Sequence, residues 1–166
     1  MNMKLLIATL IVSATCFAVS AQTKQPSSPA SPFVIKSKTD LDDVIKSYGG
    51  AKENQNKDIV AAKGQQMRVA VFYDVNRVDD LFEVHDTADD IYYVLEGKAT
   101  LSLGGELVDA NEISPGEWRA KTIKGGNKFD IKKGDLIVVP RGTVHQRTVT
   151  KKGFSMILIK VFAAKQ

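Results

Sequence analysis

The chain has 166 residues, of which 43% are hydrophobic and 25% are charged, and it contains 5 prolines. This composition predicts one globular domain and excludes a disordered, collagen-like or coiled-coil chain. The only long apolar run is at residues 4–21. No later run reaches the roughly 20 apolar residues that a membrane-spanning helix needs.

The first 21 residues have the pattern of a secretory signal peptide. Lys4 supplies a positive charge, residues 5–12 are apolar, and residues 19–21 (Val-Ser-Ala) form a small-residue cleavage pattern. We expect cleavage before Gln22 and an exported protein, periplasmic or secreted, with no membrane attachment afterwards. The residues before Cys16 do not form a lipobox, and cleavage removes this single cysteine, so we predict no disulfide and no thiol chemistry.

Charge is unevenly distributed along the remaining chain. Residues 22–112 contain 10 Lys and Arg against 16 Asp and Glu, whereas residues 113–166 contain 12 against 3. Such asymmetry can indicate a surface for an acidic ligand or a nucleic acid. The basic residues are scattered, however, without interleaved aromatic residues for stacking on bases. We therefore predict that early and late strands pair and mix the two charge sets, and that nucleic acid is not a partner.

The segment before the main domain divides into a linker and a short arm. Residues 22–32 contain three prolines and three serines without a large apolar residue, which is typical of a flexible linker. Residues 33–58 form a helical or extended arm, in which Thr39 is the predicted N-cap of one helix that ends at Gly49 and Gly50. Four apolar residues recur on one helix face and are interpreted as packing surface: Leu41, Val44, Ile45 and Tyr48.

Residues 59–166 form the predicted barrel domain. Short β-branched or aromatic runs alternate with Gly, Pro, Asn or Asp, and no helical pattern interrupts them. About ten strands are predicted, at residues 59–63, 67–74, 81–85, 91–96, 98–103, 117–123, 127–131, 135–139, 144–149 and 154–163. Because parallel strands need long crossovers, this spacing predicts an all-β antiparallel sandwich or barrel.

The chain contains only two histidines, His85 and His145. Glu83 lies two residues before His85, so both side chains project from the same face of a strand. His145 follows a predicted tight turn at residues 140–143. Each histidine is thus expected at a strand end, in a polar setting.

Two segments around these histidines resemble the conserved motifs of the cupin superfamily. Residues 83–97, Glu-Val-His-Asp-Thr-Ala-Asp-Asp-Ile-Tyr-Tyr-Val-Leu-Glu-Gly, are similar to the first motif. Residues 134–149 are similar to the second, with the Gly, Pro, Gly and His positions matched as far as His145. The resemblance covers residues 67–162 and implies a small double-stranded β-helix, or jelly roll.

The resemblance implies a metal site with an altered set of ligands. In metal-binding cupins, two histidines and a Glu of the first motif join the histidine of the second around a divalent ion. Here the first position is Glu83, the second is His85, the Glu position is Asp90 and the last ligand is His145. Imidazole and carboxylate groups suit Fe, Mn, Ni, Cu or Zn. Asp90 is one methylene shorter than Glu, so it is expected to reach the ion through water.

A barrel without metal is the alternative, in which the histidines only form hydrogen bonds to the neighbouring carboxylates or to water. Arg147 and Tyr92 are the candidate ligand-binding residues, since each is two positions from a predicted metal ligand and faces the same interior. Alternatively, Arg147 pairs with a nearby acid such as Glu83 or lies at the solvated mouth, and Tyr92 fills the core. Trp118 is assigned no role.

The leading hypothesis is an exported cupin-domain protein that binds a small polar or acidic molecule in its barrel, together with a divalent metal. The reaction, of an oxygenase, isomerase or lyase kind, is not specified, and no catalytic residue is assigned. A metal-free binding or sensing module is the second hypothesis, and a structural homodimer is the third. The chain has neither a nucleophile-elbow serine motif nor a phosphate-binding loop.

Overall fold

The computed structural model describes residues 33–61 and 66–163. The expected signal peptide (residues 1–21) and linker (residues 22–32) lie outside these ranges. No helix within the described ranges is long and apolar enough to cross a membrane.

One helix, α1, spans Lys38–Ser47. Its N-cap is Ser37, whose hydroxyl accepts a hydrogen bond from the Asp40 backbone amide while the Asp40 carboxylate accepts one from the Ser37 amide. The prediction of Thr39 as the N-cap is wrong, because this reciprocal capping box forms two residues earlier and places Thr39 in the first turn. The four predicted packing residues are partly buried, and the ring of one of them, Tyr48, lies 6.1 Å from that of Tyr73.

Thirteen strands occur in the described residues. They are β1 (Gln55–Val60), β2 (Met67–Asp74), β3 (Phe82–His85), β4 (Ala88–Glu96), β5 (Lys98–Leu103), β6 (Glu106–Val108), β7 (Asn111–Ser114), β8 (Glu117–Ala120), β9 (Thr122–Lys124), β10 (Asn127–Lys132), β11 (Leu136–Val139), β12 (His145–Thr148) and β13 (Phe154–Phe162).

These strands form two large antiparallel sheets and one small one. The first large sheet has the order β1-β2-β13-β4-β11, and the second has the order β10-β5-β12-β3-β8-β7. Strands β6 and β9 form the two-stranded sheet. Buried residues from both large sheets share one apolar core, which includes Leu101, Val149 and Phe154. The architecture is therefore an all-β jelly roll with one short helix, as predicted.

The strand boundaries differ from the prediction mainly between residues 106 and 124. Residues 117–123 were expected to form one strand, but β8 pairs with β3 and β7 whereas β9 pairs with β6 in another sheet. The chain thus changes its pairing partner at Lys121. Strand β1 begins at Gln55 rather than at the predicted residue 59, and strands β6 and β7, of three and four residues, were not predicted.

Late basic residues pair with early acidic residues across the sheets. The pairs, with nitrogen-to-oxygen distances between 2.6 and 3.2 Å, are Arg119–Glu83, Lys133–Glu96, Arg141–Asp89, Arg147–Asp74 and Lys160–Asp90. This mixing agrees with the expected pairing of the acidic and basic halves. The opposite charges of the two parts of the chain therefore form ion pairs with each other inside the fold.

Candidate metal centre

The two histidines and Glu83 meet because β3 and β12 are neighbours. Glu83 and His85 lie on β3, and His145 is the first residue of β12 and pairs directly with Glu83. Residues two apart on a strand project to the same side, so both β3 side chains face the barrel interior together with His145. The imidazole rings of the histidines lie 5.1 Å apart, edge to face.

The donor atoms of these three residues lie close enough to share one ion. One ligand atom from each of Glu83, His85 and His145 lies within 4.8 Å of the other two. The Nε2 atom of His145 is 3.3 Å from Oε1 of Glu83, and the Nε2 atom of His85 is 3.9 Å from Oε2 of the same carboxylate. Both histidines are buried. Two imidazoles and one carboxylate can hold a divalent transition metal and leave other coordination positions open.

Each histidine is oriented through its other ring nitrogen. Nδ1 of His145 lies 2.9 Å from the Thr143 carbonyl oxygen, and Nδ1 of His85 lies 2.6 Å from Oε2 of Glu117. Since these oxygens are acceptors, each Nδ1 carries the proton, and the lone pair of a neutral ring is then on Nε2. Metal-binding histidines are oriented in this way. The buried Nε2 atom of His145 makes no well-directed hydrogen bond among the described residues, although Oε1 of Glu83 lies 3.3 Å away, so the donor set fits a metal.

Asp90 lies beside the three-residue group. Its Oδ2 atom is 3.5 Å from Nε2 of His85 and 3.7 Å from Nε2 of His145. The Tyr92 hydroxyl donates to the same oxygen over 3.2 Å, and Nζ of Lys160 is 3.2 Å from the other oxygen. Asp90 thus has its own partners, and its role as a ligand through water stays a prediction.

The close charges shift several pKa values in this group. Burial alone would lower the pKa of His145, but the Asp90 and Glu83 carboxylates raise it to about 9. Burial alone would raise the pKa of Glu83, but His145 and Arg119 lower it to about 2. The pKa of Asp90 is also well below its usual range, because the two histidines and Lys160 outweigh its burial. Without metal, His145 at neutral pH is therefore a cation between two carboxylates.

Two residues of β8 complete the surroundings and were not identified from the sequence. Glu117 lies opposite His85 and accepts a hydrogen bond from its ring. Arg119 lies opposite Glu83, and its Nη2 atom is 2.9 Å from Oε2 of that carboxylate. An acidic and a basic residue two positions apart, Glu117 and Arg119, indicate a polar strand face in the sequence. Only the register of β3 against β8 shows that they face His85 and Glu83. Trp118, between them, donates from its indole nitrogen to Asp86 over 2.8 Å.

The two predicted ligand-binding residues both line the interior cavity. Arg147 does not pair with Glu83, because its Nε atom donates to Oδ2 of Asp74 over 2.9 Å. Its Nη2 atom is buried without a hydrogen-bond partner in the described part of the chain. Tyr92 packs in the core and also donates to Asp90. Burial raises the pKa of its hydroxyl well above the usual range, so Tyr92 stays a donor.

A cavity of about 350 Å³ connects these groups. Glu83, His85 and Asp90 lie on its wall, as do Tyr92 and Arg147. A volume near the lower end of the range for ligand pockets is suited to a small molecule. The site can therefore place such a molecule against both the donor group and a buried guanidinium.

Comparison with protein-family models gives no match for this chain, and comparison with curated proteins gives none either. Among solved structures, BH2720 of Bacillus halodurans matches with a TM-score of 0.52 at 16% identity, covering 82% of this chain and 86% of that one. A cupin superfamily protein of Desulfitobacterium hafniense matches with a TM-score of 0.47 at 20% identity, covering 70% and 85%. KdgF of Halomonas matches with a TM-score of 0.48 at 17% identity, covering 68% and 83%.

At these identities the comparisons concern the fold alone. The chain has an all-β jelly-roll fold, and the fold expected from its two motifs is confirmed at that level. The group of Glu83, His85 and His145 is a possible metal site, and the comparisons do not identify its metal.

Proposed function

We propose that this protein is an exported cupin that holds a divalent transition metal at Glu83, His85 and His145 and binds a small polar or acidic molecule beside it. The observation that carries the proposal is the convergence of the two Nε2 atoms on Glu83, while each Nδ1 atom is held by an acceptor of the fold. Export is proposed from the signal-peptide pattern at residues 1–21.

The residues divide the work of such a site between binding and positioning. A bound divalent ion would supply Lewis-acid or redox chemistry to an oxygen of the ligand. Glu117 holds the ring of His85 and Arg119 holds the carboxylate of Glu83, so both act on the metal through another residue. Tyr92 presents a hydroxyl proton toward Asp90. The cavity gives the ligand access to this face of the group.

A metal-free binding module is the second candidate, and one observation favours it. With a pKa of about 9, His145 is protonated at neutral pH and forms a charged contact with Glu83 and Asp90 without any metal. The positive charge of His145 then partly neutralises the two carboxylates without a metal ion. The cavity would bind its ligand through Arg147, Tyr92 and the histidines alone.

Elemental analysis of the protein purified without chelator distinguishes the two candidates. We expect near-stoichiometric metal in the wild type and none in the double variant His85→Ala/His145→Ala. A matched control is Asp130→Asn, which changes a carboxylate on β10 that bonds only to Thr100 among the described residues; it should keep the metal. Absence of metal from the wild type, even after incubation with Fe, Mn, Ni, Cu and Zn salts, would reject the metal site and leave the binding module.

A further inference from the structure

The guanidinium of Arg147 has an unused donor inside the protein. Arg147 is 8% exposed and Asp74, which accepts from its Nε atom, is fully buried. The Nη2 atom of Arg147 is buried and has no hydrogen-bond partner among residues 33–61 and 66–163. Guanidinium groups have five N–H donors, and a buried donor without an acceptor is destabilising. This edge of Arg147 therefore needs an acceptor that the described chain does not supply.

Aromatic rings hold the guanidinium in place. Its central carbon lies 5.7 Å from the ring centroid of Phe72, 5.9 Å from that of Tyr92 and 5.7 Å from that of Phe154. Such rings attract a cation through their faces and exclude water from it. Asp74 fixes the Nε side, and the cavity borders Arg147, Phe72 and Tyr92. The free edge is thus positioned before any ligand arrives, which lowers the entropic cost of binding.

The other cations that line this cavity already have acidic partners. Four of them lie within 3.2 Å of a carboxylate oxygen: Arg68 with Asp58, Arg77 with Asp80, Arg119 with Glu83 and Lys160 with Asp90. Arg147 also has an acidic partner in Asp74, but unlike these four cations it keeps a buried donor without an acceptor among the described residues. Among the described residues on the cavity wall, Arg147 alone combines burial with an unpartnered charged donor.

We propose that the cavity takes a small organic acid whose carboxylate binds the free edge of Arg147 while a second oxygen faces the group of Glu83, His85 and His145. The second contact rests on the proposed metal site. A carboxylate oxygen accepts a charge-assisted hydrogen bond from a guanidinium N–H group. Glu83, Asp90 and Glu117 lie on the cavity wall, and their charges oppose a doubly charged phosphate more strongly than a single carboxylate.

The spacing along β12 limits the length of this acid. His145 and Arg147 are two residues apart on one face, which separates their backbone positions by about 7 Å. Because the two side chains start close together on one strand, a short acid is sufficient to contact both the guanidinium and the donor group. The cavity volume of about 350 Å³ accepts a molecule of this size.

Calorimetric titration of the purified protein with glycolate, malonate and succinate tests the inference. Each acid is paired with its neutral amide, inorganic phosphate is included, and every titration is done after Zn²⁺ loading and again after chelation. We expect at least one acid to bind at least tenfold more tightly than its amide. Arg147→Gln should weaken that acid at least tenfold and Arg147→Lys by a smaller factor. Arg68→Gln, a matched control in the same cavity, should change its affinity less than threefold.

The outcomes separate this inference from the metal site. The proposed acid site would be overturned by any of three results: none of the three acids binds, the Arg147 and Arg68 variants lose affinity equally, or phosphate binds more tightly than the acids. Zn²⁺ binding is measured in the same samples, so its absence rejects the metal alone if the acid still depends on Arg147. Should Arg147→Gln not fold, Arg147→Gln/Asp74→Asn removes the carboxylate that would be left unpaired and provides the same comparison.

Discussion

The barrel interior has a polar end and an apolar end, and the same strands supply both. From the polar end to the apolar end, the inward residues are Asp90, Tyr92 and Val94 on β4, His145 and Arg147 on β12 with Val149 just after it, and Lys160, Leu158, Met156 and Phe154 on β13. Strand alternation decides that these residues face inward. Their position along the strand decides whether they are polar or apolar. Moving two residues along one strand is therefore enough to pass from a residue of the candidate site to a residue of the core.

Substitution in the apolar core, even opposite Arg147, should affect stability far more than metal binding. Leu101 is fully buried in the core, and Leu101→Ala is expected to cost about 2–5 kcal/mol of unfolding free energy because it leaves a cavity. Denaturant unfolding measures this loss. The matched control Leu136→Ala, at a side chain that is 66% exposed, should stay within about 0.5 kcal/mol of the wild type. A loss of metal stoichiometry in folded Leu101→Ala would contradict the separation of the two ends.

The polar end should respond to pH where the apolar end does not. Metal must displace the proton of His145, whose pKa is about 9 in the metal-free protein. Metal affinity should therefore rise by about tenfold per pH unit well below this pKa and by roughly 50-fold between pH 7 and pH 9, where half of His145 is already deprotonated. Chelator-buffered Zn²⁺ titrations at pH 7, 8 and 9 measure this slope, and an affinity independent of pH would reject a protonated His145.

The same shifts set the stability of the metal-free protein. The raised pKa of His145 contributes stability that is complete below its ordinary value of 6.5 and is lost as the pH rises through about 9. The lowered pKa of Glu83 contributes stability that is present above its ordinary value of 4.5 and is lost as the pH falls toward about 2. Thermal unfolding of chelated protein across this range should show both losses, and the variant His145→Ala should lack the alkaline one.

The smallest expected effect comes from the residue that orients His85. Glu117→Gln replaces the carboxylate that accepts from Nδ1 of this histidine with a neutral and weaker acceptor, and metal binding should weaken by about 10-fold, the lower end of the usual range for an outer partner. Competition with a calibrated chelator measures the change. Glu106→Gln, at an exposed position on the separate β6–β9 sheet, is the control and should bind metal as the wild type does. Equal affinities in the two variants would show that Glu117 does not act on the site.

Local patterns were sufficient to predict much of the polar end. Period-two alternation placed Glu83 with His85 and His145 with Arg147, and the spacing of the second motif indicated the turn before His145. Strands β2 and β5 have the predicted boundaries. These features depend on residues that are close in the sequence, where propensity and alternation are informative.

The remaining features depend on register between distant strands. Asp74 meets Arg147 across 73 residues, and Glu117 meets His85 across 32. A shift of one residue in pairing reverses which face each side chain occupies, and no local pattern specifies that shift. For this reason Asp74, Glu117 and Arg119 could not be assigned from the sequence, although each is a charged residue in a strand or at a strand end.

The position of the last strand affects when the chain can fold. Strand β13 lies in the middle of its sheet, between β2 and β4, and contributes four buried or half-buried residues to the barrel interior. The facing edges of β2 and β4 have no partner until residues 154–162 are available. Barrel closure is therefore a long-range event that depends on this strand. A shortened chain without β13 would expose two unpaired strand edges, which are sites of aggregation.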